Sequence, residues 1–132
     1  MNARTFFVLL PLLLTSCLAP KWTYHECSLE SGDPRPDRTR MPILTSISIQ
    51  GSELVANGET LTGGYRNASL RRLPGLGYTD QRVYEFAVEP PPPGSMAVQV
   101  ISPHTARIRL DDAGIRHIRV LGARNALCAD RQ

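Results

Sequence analysis

Alternation is the strongest constraint on how this chain folds. From Ile43 to Gln50, Ile43, Thr45, Ile47 and Ile49 fall on one side of an extended backbone and Leu44, Ser46 and Ser48 on the other. A period of two with β-branched residues is the pattern of a half-buried strand. It recurs at Gln81–Glu89, where Tyr84, Phe86 and Val88 form the apolar face while Arg82 and Glu85 reach solvent. Residues 95–102 repeat it with Met96, Val98 and Val100. Residues 105–110 do so with Ala106, Ile108 and Leu110 inward and Thr105, Arg107 and Arg109 outward, and residues 115–121 with Ile118 and Val120 inward. Asn57-Gly58, between two further extended runs, predicts a hairpin closed by a type I′ turn.

Between these runs the chain is punctuated by turn formers, helped by its 11 prolines and 10 glycines. Residues 31–42 read as loop. Residues 63–80 read as irregular, with one helical turn over 67–73 capped by Asn67. Pro90 to Pro93, then Gly94, read as a stiff connection, or as an exposed ligand for a groove-type binder. The expectation is a mainly β chain: a small antiparallel β-sandwich or partial barrel of about six or seven strands, its last three strands a meander. A helix starting at Asp111 or Asp112 competes for the final run, because Ile115 and Ile118 also fit a helical spacing. The alternative is therefore an α+β fold with a C-terminal helix.

The N-terminus follows a different logic. Arg4 precedes an apolar stretch over residues 5–14, which ends at Leu14-Thr15-Ser16-Cys17. The apolar stretch is shorter than the roughly 20 residues a membrane span needs, and Pro11 interrupts it. The order of positive start, short apolar core and small residues is that of a signal peptide. Leu14-Thr15-Ser16-Cys17 resembles the lipobox of bacterial lipoproteins. The resemblance implies cleavage before Cys17, acyl chains on Cys17 and membrane attachment through them. A second candidate cut, after Ala19, would place Pro20 just past the scissile bond. Leu18, rather than Asp, follows the cysteine. In a Gram-negative lipoprotein this favours the outer membrane, facing the periplasm. The expected organisation is a signal peptide over 1–16, a lipidated N-terminus and tether over 17–26, and one periplasmic domain over 27–132. Trp22 and Tyr24 either lie at the lipid interface or pack on the domain as its first strand.

With Cys17 assigned to lipid, the resemblance leaves Cys27 and Cys128, which read as a disulfide in an oxidising compartment. The rival, a metal site on Cys27 and His25, lacks the further ligands that zinc requires. No cofactor or metal is expected.

The formal charge of +3 is too small to imply nucleic acid. No serine lies in a Gly-x-Ser-x-Gly elbow. His25, His104 and His117 sit in separate local settings, although a shared site for His104 and His117 is conceivable on neighbouring strands. Asp111-Asp112 matches turn chemistry better than a catalytic dyad. The most distinctive polar feature is a face predicted to carry Arg107, Arg109, His117 and Arg119, with Arg71 and Arg72 as possible extensions. Like charges across strands repel unless something compensates. An anionic partner would do so, and arginine forks suit one. A solvated face with local acids is the alternative. The expected function is that of a lipid-anchored binding module without catalytic activity, acting on a protein partner in the envelope, in the manner of an inhibitor or immunity protein. A structural or accessory lipoprotein of an envelope or secretion complex is the rival.

Overall fold

The computed structural model describes residues 21–30, 32–33, 41–96, 98–110 and 114–132, and these form strands without any helix. In chain order they are β1 (Trp22–Cys27), β2 (Ile43–Gln50), β3 (Glu53–Thr60), β4 (Arg66–Arg72), β5 (Gln81–Glu89), β6 (Ser102–Arg109), β7 (His117–Leu121) and β8 (Ala126–Arg131). One sheet has the order β1-β8-β7-β5-β4 and the other β2-β3-β6. The chain is thus a small mainly β sandwich. Every pair is antiparallel except β5–β7, which is parallel. The expected signal peptide over 1–16, Cys17, most of the loop expected over 31–42 and the Asp111-Asp112 pair lie outside the described residues.

Phe86, Leu54, Ile118 and Val120 are fully buried between the sheets, with Leu44, Ile47, Leu70 and Tyr84 around them. Each such side chain contributes about 1.5–3 kcal/mol by leaving water. A second cluster lies on the outer face of the five-stranded sheet, where Met41 packs with Val83, Leu121 and Ala126 beside Leu73 and Leu76. That sheet is therefore covered on both faces along β7, which is buried from Ile118 to Leu121 without alternating.

Several expectations need correction. Thr45 has no partner in the β2–β3 ladder, because Leu44 pairs with Gly58 and Ser46 with Asn57. This bulge shifts the phase of β2, so Leu44 and Ile47 both point inward instead of lying on opposite faces. Asn57-Gly58 is not a turn but the middle of β3. Asn57 faces outward in a polar ladder: its Nδ2 donates to Ser46 Oγ (3.0 Å) and its Oδ1 accepts from Thr105 Oγ1 (2.7 Å). Gly58 faces inward, where a Cβ would come within 2.7 Å of Phe86 Cε1 and 2.8 Å of the Ile43 carbonyl oxygen. The hairpin turn is Gly51-Ser52, with Gly51 at φ 63°, the first-position glycine of a II′ turn.

Residues 66–72 form β4 rather than a helical turn. Pairing with β5 at Arg66 and again from Ser69 to Arg72 gives the segment a ladder, whereas a single helical turn leaves most of its backbone groups unsatisfied. Asn67 is a left-handed bulge residue (φ 52°), and its Nδ2 donates to Glu89 Oε2 (3.0 Å). The run over 95–102 joins the strands only at Ser102; Met96, Val98 and Val100 are 93%, 63% and 49% exposed. The final meander does not form either. The chain crosses from one sheet to the other after β6, and β7 pairs with β5 and β8. The competing C-terminal helix is excluded, since 117–121 is β7.

Of the two readings of Trp22 and Tyr24, the strand is the one found, so Trp22–Cys27 belongs to the domain as its edge strand and not to the tether. Trp22 packs against the core, and Tyr24 Oη accepts from the Ile49 N–H (2.8 Å), joining the two sheets. Asn125 does the same elsewhere along β2: its Oδ1 accepts from the Leu44 N–H and its Nδ2 donates to the Leu44 carbonyl. The disulfide Cys27–Cys128 joins β1 to β8 with a Cα–Cα distance of 5.9 Å.

Candidate functional site

The four residues expected on one face are divided. Ala106 and Ile108 pack toward the core, so Arg107 and Arg109 lie on the outer face of the three-stranded sheet. Ile118 and Val120 pack toward the same core from the other side, so His117 and Arg119 lie on the outer face of the five-stranded sheet. The crossover between β6 and β7 is the reason. Arg107 Nη1 donates to Glu53 Oε1 at 2.9 Å. Arg119 is buried, and its guanidinium pairs with Asp33 and, at 3.4 Å, with Glu30. Arg71 pairs with Glu85. Local acids thus answer Arg107, Arg119 and Arg71, and no shared cationic face forms.

Histidines show a similar division. His104 and His117 are on different sheets, so the site they were expected to share does not form. His117 instead lies in a row with His25 and two acids. Its Nδ1 is 2.7 Å from Asp130 Oδ1, its Nε2 is 3.8 Å from Asp80 Oδ2, and His25 Nδ1 is 3.4 Å from Asp130 Oδ2. Each of these side chains is 41–49% exposed. Among the described residues, no three His, Cys, Asp or Glu side chains converge as metal ligands. The Cys27 sulfur, proposed above as a rival ligand, is bonded to Cys128.

The register of the strands defines two poles. Trp22 pairs with Arg131, and His117 with both Asp130 and Gln81, so β1, β7 and β5 start at one end. The Gln132 N–H donates to the Lys21 carbonyl there. At the other end the Ala123 N–H donates to the Pro42 carbonyl, and Ile43 pairs with Glu59. This distal pole holds a cleft of about 190 Å³. Met41, Ile43, Leu61 and Ala123 supply its apolar wall, and Glu59, Tyr65 and Arg124 its polar groups. Among the described residues, Glu59 and Arg124 have no ion-pair partner. Leu61 is 55% exposed and continues the apolar wall onto the surface.

No family model, curated protein or solved structure matches this chain.

Thr60 lines the cleft and is 7% exposed. Its Oγ1 donates to the Thr62 carbonyl (3.0 Å), which leaves the oxygen to accept from His104 Nε2–H (2.9 Å). Burial pushes the His104 pKa below its ordinary value of 6.5. The unfolded chain then binds the proton more readily than the folded one, so the contribution of neutral His104 is complete above pH 6.5 and is lost as pH falls below that value. Urea unfolding at pH 7 and pH 5 should show a smaller drop in midpoint for His104→Gln than for the wild type. Equal drops would remove His104 as a source of the acid sensitivity.

Sequence reasoning missed this cleft. Its polar groups come from the end of β3, the chain leading into β4 and the β7–β8 turn, and no spacing rule connects those places.

Proposed function

We propose that this protein is a lipid-anchored binding module of the bacterial envelope that acts by contact and not by catalysis. The observation that carries the reading is the distal cleft with its unanswered Glu59 and Arg124. At about 190 Å³ it is smaller than the roughly 300–1,000 Å³ of small-molecule sites. It is the right size to receive one anchoring side chain of a protein partner, the usual centre of an interface.

The lipobox-like Leu14-Thr15-Ser16-Cys17 supports the placement. Four residues from Cys17 to Lys21 reach at most about 14 Å, so acyl chains on Cys17 would hold the Trp22 end against the membrane. β5, with 9 residues, spans about 30 Å and would carry the cleft that far into the periplasm. The disulfide is consistent with an oxidising compartment.

A photo-reactive residue at Leu61 or Tyr65 in the full-length protein tests the reading in cells. The expected result is one discrete adduct from either position, lost on Arg124→Glu and not obtained from Tyr78 near the opposite pole. Equal adducts from Tyr78, or none from the cleft, would reject it. Separately, Cys17→Ala should move the protein from the membrane to the soluble fraction. Retention in the membrane would reject the anchor.

A further inference from the structure

The segment between the polyproline run and β6 carries the sequence of a strand but, among the described residues, belongs to no ladder of either sheet. Ser102 pairs with Thr60, the last residue of β3, and residues 98–101 extend past that end. The chain after Thr60 stays beside one edge of this overhang: the Gly63 N–H donates to the Val98 carbonyl (2.9 Å), and a Cβ on Gly63 would come within 3.2 Å of Val100 Cγ1. Among the described residues no ladder takes the opposite edge. Val98, Val100 and Ile101 are 63%, 49% and 62% exposed, and Met96 before them is 93% exposed. Natural edge strands are normally guarded by charge. Here no Asp, Glu, Lys or Arg occurs between Glu89 and Arg107.

We infer that residues 98–101 are a self-association edge, which pairs antiparallel with the same segment of a second copy of this chain. Two observations favour a second copy. A symmetric pairing sets each side chain against its own kind, which is costly for charged strands and free of that cost for this one. The prolines at 90–93 and 103 lack an N–H, so they bracket the stretch that can pair and limit slippage in register. Edge-to-edge pairing over so short a stretch covers only part of the exposed side chains, which puts the contact below the roughly 1,200 Å² of stable interfaces. A weak dimer is therefore expected in solution. A common anchor would favour it by holding copies at one height in the plane of a membrane.

Cysteine cross-linking on the full-length protein in its native membrane decides the matter. Single replacements Val98→Cys, Gln99→Cys, Val100→Cys and Ile101→Cys are oxidised and scored for disulfide-linked homodimer. At least one should cross-link strongly, and Tyr78→Cys should not. Adding Lys at two of the other positions should reduce the cross-linked fraction at least about tenfold. The unmodified lipoprotein in detergent, followed by sedimentation, should shift reversibly from monomer to dimer with concentration, and Val98→Lys with Val100→Lys should abolish the shift. Homodimer formed equally from Tyr78→Cys, a monomer at every concentration, or cross-links only to a different protein would overturn the inference.

Discussion

Replacing both Cys27 and Cys128 with serine should lower the folding free energy by about 4–5 kcal/mol, the chain-entropy value for a closed loop of about 100 residues. The bond spans 101 positions, and without it the denatured chain recovers the freedom of nearly the whole domain. The loss should also be uneven in space. β1 is an edge strand whose residues 23–26 are all exposed, so little apolar burial holds it in place. Its attachments are the ladder to β8, the Trp22 contact, the Tyr24 bond to Ile49 and the disulfide. Amide exchange in Trp22–Cys27 should therefore rise well before exchange in β5 or β7. Chemical denaturation of the oxidised protein and the double serine variant measures the first effect. A difference under about 1 kcal/mol would mean that the denatured chain stays compact, so that the cross-link removes little of its freedom. If β1 carries the load between a lipid anchor and the body, the same variant should become more sensitive to proteolysis near Trp22.

The parts of the fold that were legible in the sequence are those decided by local period. β5 and most of β6 follow from alternation, since in each one face meets the core, while β2 was legible as a strand but not in its faces, which the bulge at Thr45 shifts. Gly58 shows where the reasoning fails. Asn-Gly is the strongest short-range hairpin signal, but here Phe86, 28 positions away, needs the room that only glycine leaves. Asn67 reads locally as a cap, and the pairing of β4 with β5 makes it a bulge. The β7 strand was recognised, but its neighbours were not, because parallel pairing with β5 is a non-local choice. The candidate site was less legible still. Arg107, Arg109, His117 and Arg119 were placed on one face by assuming that consecutive strands pair. Once β6 and β7 are assigned to different sheets, the residues that converge are Glu59, Tyr65 and Arg124. Residues 98–101 have the period of a strand but, among the described residues, stand outside both sheets, so local pattern alone did not place them.

Removing one member of the Arg119–Asp33 pair should cost about 3–5 kcal/mol, the range for a buried charge left without its partner. Both side chains are nearly fully buried, at 6% and 8% exposure. Asp33 Oδ2 also accepts from the Glu30 N–H (2.6 Å), and the Asp33 N–H donates to the Glu30 carbonyl (3.0 Å), so the carboxylate both closes a tight loop and neutralises Arg119. Glu30 cannot take over this role: its carboxylate lies 3.4 Å from the guanidinium but is 73% exposed, and exposed pairs are worth about 0–1 kcal/mol. Asp33→Ala and Arg119→Ala should each lower the urea midpoint strongly. Arg119→Leu combined with Asp33→Leu should recover most of the loss, because an apolar pair on this face extends the Val83 and Leu121 cluster and strands no charge. The double-mutant cycle would then give a coupling of several kcal/mol. Arg119 pairs with Cys128 in the β7–β8 register, so the ion pair and the disulfide lie side by side on one face of the sheet. Both hold the segment running from Trp22 to Asp33 onto the body. If the two losses add, each fixes that segment independently. If Asp33→Ala costs little once the disulfide is gone, the segment docks as a unit, and the disulfide is what brings Asp33 within reach of Arg119.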